Sequence, residues 1–168
     1  MEPKQKVRIT KLIVVLLACA GVLQWYRYAS GRTLISDARL TVQFRNHRGD
    51  FERLQKMMIE DDLKGGIASD YVDDKQLSPA RLAEYRALMK KCGVETLVAM
   101  SDGRGAARFW VDSQGSVIAS RLKGIAYSPE PLIPIVPSLD ESCLPDQGGC
   151  AVFRHIEEKW WLVREEDR

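Results

Sequence analysis

The two histidines are the side chains in this sequence best suited to acid–base chemistry near neutral pH. His47 and His155 are the only histidines among 168 residues, and either could act as a general base if a carboxylate oriented it in a cleft. His47 lies on an apolar helical stripe and His155 lies in a predicted strand, where a histidine more often packs than catalyses. A small envelope hydrolase that uses His47 or His155 with nearby carboxylates is therefore an alternative hypothesis.

Other catalytic and binding motifs are absent from the sequence. It contains no Gly-x-Ser-x-Gly nucleophile elbow and no phosphate-binding Gly-x4-Gly-Lys loop. The acidic run Glu60-Asp61-Asp62 could bind a cation, but it is more typical of a solvated helix end. The sequence therefore predicts no catalytic residue, no metal and no cofactor.

Three cysteines lie beyond the N-terminal segment, and their chemistry depends on the compartment. Cys143 and Cys150 enclose six residues that include a proline and a Gly-Gly pair, a loop flexible enough to close a bridge. We predict a disulfide between Cys143 and Cys150. Zinc binding by these cysteines and His155 is the alternative, but Cys-x6-Cys-x4-His matches no common zinc spacing. Cys92 closes an apolar helical stripe and is expected to be a small buried residue.

The N-terminal residues 1–31 have the composition of a membrane-targeting segment. The first eleven residues carry four basic side chains and one acidic one, and residues 12–23 carry no charged or strongly polar side chain. A basic stretch followed by an apolar one is typical of an export signal or a membrane anchor. We therefore divide the chain into a leader or anchor with its linker, residues 1–31, and one α+β domain, residues 32–168.

Three outcomes are open for this segment. Leu16-Leu17-Ala18-Cys19 resembles a bacterial lipobox, which would make Cys19 the lipidated mature N-terminus. Alternatively, residues 12–28 stay in place as a single-pass transmembrane anchor, since 17 residues are at the lower limit for crossing a bilayer. Cleavage after Ala20 would instead release a soluble protein with an unusually apolar N-terminus. All three outcomes place the domain outside the cytoplasm, in the periplasm or at the cell exterior, where disulfides persist.

Two helices are predicted in the first half of the domain. An apolar stripe at helical spacing runs through residues 37–61, and Ser36 can cap its start. A second helix spans residues 79–91, with Ser78 as its N-cap and a proline at its first position. Residues 67–76, between the helices, are acidic and turn-rich and predict a solvated loop.

After the second helix, the period of apolar residues changes to that of strands. Strands are predicted at residues 96–100, 107–111 and 116–122, and a later hairpin pairs residues 151–156 with 160–163. Short turns between short strands indicate an antiparallel meander. The predicted fold class is α+β, with two helices packed on one face of a four- to five-stranded antiparallel sheet.

A proline-rich segment between Tyr127 and Cys150 fits neither pattern. Four prolines in residues 128–140 exclude a helix or a central strand and predict an extended path. We favour a cover over the core, because its apolar side chains would otherwise form an exposed patch. If these side chains are exposed, they are the best candidate for binding a partner: Leu132, Ile133, Ile135 and Val136.

Several motifs in the domain resemble those of small envelope-anchored bacterial proteins, lipoprotein-like or single-pass, of unassigned function. They are HRGDFERL at 47–54 with Met57-Met58, KGIAYSP at 123–129, Ser138-Leu139-Asp140, and FRHI at 153–156 followed by Trp160-Trp161. The last pair is usually Trp-Tyr in those proteins, so Trp161 departs from the pattern. The resemblance implies a single domain at the cell envelope, and it transfers no catalytic residue.

These observations favour a membrane-tethered, non-catalytic accessory or interaction domain outside the cytoplasm. Its expected partners are the membrane, through the anchor or a lipid, and an envelope protein. Nucleic acid is not expected, because 25 Lys and Arg against 23 Asp and Glu leave too small a basic surplus to neutralise phosphates. An immunity protein that binds and inhibits a toxin is a further alternative of the same kind.

Overall fold

Three α-helices occupy the first half of the domain. The computed structural model describes residues 33–68, 71–72, 77–99, 105–115, 120–141 and 149–167. Its helices are α1 (Asp37–Asn46), α2 (Arg48–Glu60) and α3 (Pro79–Cys92). Both predicted N-caps are confirmed, since Ser36 Oγ accepts the N–H of Arg39 at 3.4 Å and Ser78 Oγ accepts the N–H of Arg81 at 3.2 Å.

The prediction of one helix over residues 37–61 is wrong, because the chain bends at His47. His47 has φ −122° and ψ 20°, and its N–H donates to the carbonyl oxygens of Gln43 and Phe44 at 3.1 Å each. The helix restarts when the N–H groups of Asp50 and Phe51 donate to the His47 carbonyl. The buried stripe continues across the bend, so the period of apolar residues did not reveal it: Leu40, Phe44, Phe51, Leu54 and Met58.

One strand between the second and third helices and five strands after the third helix form one six-stranded antiparallel sheet, so the α+β class is confirmed and the count of four to five strands is wrong. The strands are β1 (Gly66–Ala68), β2 (Thr96–Ala99), β3 (Ala107–Gly115), β4 (Ser120–Tyr127), β5 (Cys150–Glu157) and β6 (Trp160–Glu166). The additional strand, β1, overlaps the start of residues 67–76, the segment predicted to be a solvated loop. It pairs with β2 and buries Ile67 opposite Leu97, and three residues are too few to produce a recognisable alternation.

The strand order is β1-β2-β3-β4-β6-β5, which corrects the meander prediction. The first four strands follow one another as in a meander. Strand β6 then pairs with both β4 and β5, which leaves β5 at the edge of the sheet. The long proline-rich connection is what carries the chain from the centre of the sheet to this edge.

The strand predicted at residues 107–111 was expected to end in a turn over residues 112–115, which is also wrong, because those residues belong to β3. A register shift between Trp110 and Asp112 lets the polar end of β3 continue to pair with β4. The change from apolar to polar residues therefore marks where the core ends and not where the strand ends.

Alternate residues of the strands face two separate apolar clusters. Leu97, Phe109, Ile125 and Leu162 are direct neighbours across four strands and pack with the helices in the main core. The opposite face carries a second buried cluster: Trp110, Ala126, Phe153, Trp161 and Val163. The helices therefore lie on one face of the sheet, as predicted.

None of the three described helices belongs to the predicted membrane anchor, which is residues 12–28. Within the described ranges, no helix is both long and apolar enough to cross a membrane. Residues 12–28 and Cys19, on which the anchor and lipidation hypotheses depend, lie outside the described residues. Residues Leu34–Arg168 form one compact unit.

Candidate functional site

The proline-rich connection lies against the free edge of β5. We call residues 128–141 the proline strap. Its first N–H, from Ser128, donates to the Lys159 carbonyl at 2.9 Å in the turn between β5 and β6. Further along, Phe153 of β5 donates its N–H to the Pro134 carbonyl at 3.0 Å and accepts the N–H of Val136 at 2.8 Å. The strap thus runs parallel to β5 for one residue pair and protects part of its edge.

The strap passes around this edge from one face of the sheet to the other. Leu132 packs against the second apolar cluster, whereas Val136 and the fully buried Leu139 pack in the main core under the helices. Between these points, Ile133 and Ile135 point outward, with 77% and 57% of their surface exposed. Of the four candidate residues, Leu132 and Val136 therefore cover the apolar clusters, and Ile133 and Ile135 are exposed.

We call Ile133 and Ile135 together the crest. They flank Pro134 where the strap turns around the edge, and the Ile133 to Pro134 peptide bond is cis. Side chains of a segment that pairs with an edge strand point toward the two faces of the sheet. Ile133, Pro134 and Ile135 are exposed where the strap passes between the two faces, whereas Leu132 and Val136 are partly buried. The exposure of the crest is therefore a consequence of the path of the strap and not of a loose loop.

Four charged side chains hold the last part of the strap, and we call them the ion cluster: Asp37, Lys123, Asp140 and Arg154. Lys123 Nζ lies 2.8 Å from Asp37 Oδ1 and 2.6 Å from Asp140 Oδ1. Arg154 Nη1 donates to Asp37 Oδ2 at 3.0 Å. The Lys123 side chain is 1% exposed and that of Asp37 is 3% exposed, so this pair is removed from water.

Asp37 also binds the backbone of the strap. Its Oδ2 accepts the N–H of Leu139 at 2.9 Å, and its own N–H donates to Asp140 Oδ1 at 2.9 Å. Burial by itself raises the pKa of the Asp37 carboxyl, but hydrogen bonds from Lys123 and Leu139 outweigh this and hold the pKa below its ordinary value. Asp37 is therefore ionised at neutral pH, and it connects the start of α1 to the end of the strap.

Arg164 of β6 holds the end of the strap by hydrogen bonds to its backbone. Its Nη1 donates to the carbonyl oxygens of Leu139 and Glu141, each at 2.7 Å, and its Nε donates to Glu166 at 2.9 Å. Arg164 is buried, so on folding its charged guanidinium group replaces water as the hydrogen-bond donor to these two carbonyl oxygens. The end of the strap is thus held by charge as well as by the Leu139 side chain.

Sequence reasoning did not find the ion cluster. One signal was available, because Lys123 occupies the same face of β4 as the buried Ile125. A charged residue at an inward position needs a buried partner. The two carboxylates that pair with Lys123 come from α1 and the strap, so their identity required the tertiary fold.

His47 has the carboxylate that the hydrolase hypothesis requires. Its Nδ1 lies 3.3 Å from Asp50 Oδ2, at the start of α2. The other oxygen of Asp50 accepts a hydrogen bond from Lys91 Nζ at 2.8 Å, and Lys91 is the main reason that the pKa of Asp50 is lowered. Burial raises the pKa of the nearby Cys92 thiol to about 12, so this sulfur stays protonated and is a poor nucleophile.

His155 is held differently. Its ring meets the Trp161 ring edge to face with centroids 4.8 Å apart, and its Nε2 lies 3.0 Å from the Glu158 carbonyl oxygen. A backbone carbonyl and an indole orient it, and no carboxylate does so among the described residues. In the described part of the chain, no group of three or more His, Cys, Asp or Glu residues could hold a metal ion.

The predicted disulfide stays a prediction, because Cys143 lies outside the described residues. Cys150 is the first residue of β5. Cys92 is buried at the end of α3, which confirms its expected place in the core.

Comparisons of the sequence with protein-family models, with curated proteins and with solved structures found no match. The resemblance to envelope-anchored proteins therefore stays an expectation. Any conclusion about function depends on the geometry of this chain.

Proposed function

We propose that this chain is a non-catalytic interaction domain, tethered to the membrane and located outside the cytoplasm, that binds a component of the cell envelope through the crest. The observation that carries the proposal is the exposure of Ile133 and Ile135 on a strap that is fastened on both sides of them. Large apolar side chains held outward in one conformation bind with little loss of conformational entropy.

The ion cluster supports a role in positioning the crest. Apolar side chains could cover this part of the core at a lower cost, since replacing a buried ion pair by apolar residues is often neutral or stabilising. The pairing of Lys123 with Asp37 and Asp140 instead specifies one register of the strap relative to α1 and β4. Such a register sets the position of Ile135, five residues before Asp140.

The tether itself is supported by the sequence. A basic stretch before residues 12–23 favours an anchored or lipidated chain whose domain faces the periplasm or the cell exterior. Intact mass of the full chain from the membrane fraction, with and without thiol alkylation, separates the three outcomes. It also reports whether Cys143 and Cys150 are both unreactive, as the predicted disulfide requires.

A small hydrolase is the second candidate, and the contact between His47 and Asp50 is the observation in its favour. Lys91 competes for the same carboxylate, which reduces the support that Asp50 can give to a protonated His47. Hydrolysis that is lost in His47→Ala, but kept in the crest variants, would favour this candidate. A toxin-binding immunity protein would be a special case of the proposed interaction domain.

Photo-crosslinking in living cells tests the proposal. A diazirine amino acid replaces Ile135 in the full chain, and Val42 of α1 provides a matched control because it is also 57% exposed. We expect adducts from position 135 that are several-fold more abundant than those from position 42, and that decrease in Ile133→Asp. Equal yields at both positions would contradict the proposal.

A further inference from the structure

We infer that the component bound by the crest is the lipid bilayer to which the chain is tethered. This inference rests on the proposed function and names the partner of the same surface. Three features support a bilayer over a protein: the short predicted linker before the domain, the side chains of the crest and its small number of backbone donors.

The first helix of the domain, which follows the predicted linker, is bonded to the strap that carries the crest. Eight residues separate Tyr28, the last residue of the predicted anchor, from Asp37. An extended chain spans about 3.5 Å per residue, so this predicted linker is at most about 30 Å long. Asp37 is bonded to Leu139 and Asp140, and Ile135 is at most about 17 Å from Asp140 along the chain.

The side chains around the crest suit hydrocarbon. Residues 131–137 read Pro-Leu-Ile-Pro-Ile-Val-Pro and contain no charged or hydrogen-bonding side chain. A protein interface of useful size normally has a polar rim and about one hydrogen bond per 100–200 Å². Contact with lipid needs no such partners, because apolar side chains enter the acyl region without them.

The backbone around the crest has fewer donors than an ordinary segment of this length. Three of these seven residues are prolines, which have no N–H, and of the four N–H groups that remain, that of Val136 donates to the Phe153 carbonyl at 2.8 Å. An unpaired N–H in hydrocarbon is costly, whereas a proline carries no such cost. The same prolines make the strap a poor edge for adding a strand from a protein partner.

The test uses the full chain in vesicles of phosphatidylethanolamine with a minority of phosphatidylglycerol. The diazirine amino acid is placed at position 133, 135 or 42 in separate preparations, and lipid adducts are quantified by mass spectrometry of the peptides. Val42 is matched to Ile135 in exposure, and it lies five residues from Asp37 just as Ile135 lies five from Asp140. Near-ultraviolet circular dichroism confirms that each variant is folded.

We expect lipid adducts at positions 133 and 135 several-fold above those at position 42, and a decrease at position 133 in Ile135→Asp. Equal lipid adducts at all three positions would overturn the inference. If living cells give protein adducts at the crest while the vesicles give no lipid adducts there, the inference fails and the proposed function stands. If neither experiment gives adducts above position 42, both fail.

Discussion

Replacing Lys123 by methionine tests whether charge fixes the proline strap. Lys123 Nζ is within 2.8 Å of both Asp37 and Asp140, and its side chain is 1% exposed. Methionine has a similar length and is apolar, so the substitution removes the charge without leaving a large cavity. Asp37 then stays buried with Arg154 and the N–H of Leu139 as its remaining partners.

The expected magnitude follows from these distances. With an effective dielectric constant of about 20, the contact of Lys123 with the buried Asp37 is worth roughly 6 kcal/mol of attraction, and desolvation of the two ions offsets much of it. The contact with Asp140 contributes less, because the Asp140 side chain is 47% exposed and water screens it. Removing one partner of a buried pair typically costs about 3–5 kcal/mol. We expect a loss near the lower end, about 3 kcal/mol in the free energy of unfolding, because Arg154 still faces Asp37.

The double variant Asp37→Asn/Lys123→Met separates charge from packing. It removes both buried charges, so we expect it to be more stable than the sum of the two single variants predicts, by about 1–3 kcal/mol. The free energy of unfolding is measured for the unmodified chain, the two single variants and the double variant. Each full chain is unfolded by urea in detergent and followed by tryptophan fluorescence. Hydrogen exchange at the N–H groups of Val136 and Leu139 reports on the strap itself, and it should accelerate in Lys123→Met.

Lys64 provides the matched control. It also forms an ion pair with an aspartate, Asp62, at 3.0 Å, but the two side chains are 79% and 82% exposed. Lys64→Met should therefore change stability by less than about 1 kcal/mol. If Lys123→Met costs no more than Lys64→Met, or if the double-variant cycle shows no coupling, the ion cluster does not hold the strap.

Three further predictions follow from single residues. The pKa of Asp37 is lowered on folding, so its contribution to stability is present above about pH 4 and is lost as the pH falls through the folded value. In Asp37→Asn, the free energy of unfolding measured with urea should therefore decrease less at acid pH than it does in the unmodified chain. The same decrease in both proteins would refute this. Gly124→Ala should cost about 3 kcal/mol or more, because the new Cβ would lie 2.1 Å from the Phe109 carbonyl oxygen, and an unchanged melting temperature would show that the strands can separate. The Cys92 thiol, with its pKa raised by burial to about 12, should react with iodoacetamide only after unfolding in urea; rapid labelling of the folded chain would contradict its burial.

Local signals predicted most of the elements correctly. Ser36 and Ser78 mark two helix starts, and the hairpin of β5 and β6 was expected within a few residues of its observed limits. These features depend on capping, proline position and side-chain alternation, which act between residues close together in the chain. Sequence patterns therefore predicted these elements, whose determining interactions join residues close together in the chain.

Three features of the fold could not be predicted in this way. The bend at His47 leaves the apolar stripe continuous, and β1 gains its stability from pairing with β2 across a long separation in sequence. The edge position of β5 depends on the pairing of β6 with β4, which competes with an equally plausible pairing of β5. Only the packed fold decides such choices, because the interactions that distinguish them join distant residues.

The candidate site divides along the same line. Proline content and the spacing of apolar residues by themselves excluded a helix or a central strand at residues 128–140 and made Leu132, Ile133, Ile135 and Val136 the candidates for partner binding. Which of them are exposed was decided by the tertiary structure, because the strap turns around the edge of β5, which leaves Ile133 and Ile135 exposed and partly buries Leu132 and Val136. The ion cluster was likewise decided there, since Lys123 meets Asp37 only when α1, β4 and the strap pack together. The pairing of charged residues that are far apart in the chain leaves no pattern in the sequence. It is decided only when folding buries them together, away from water.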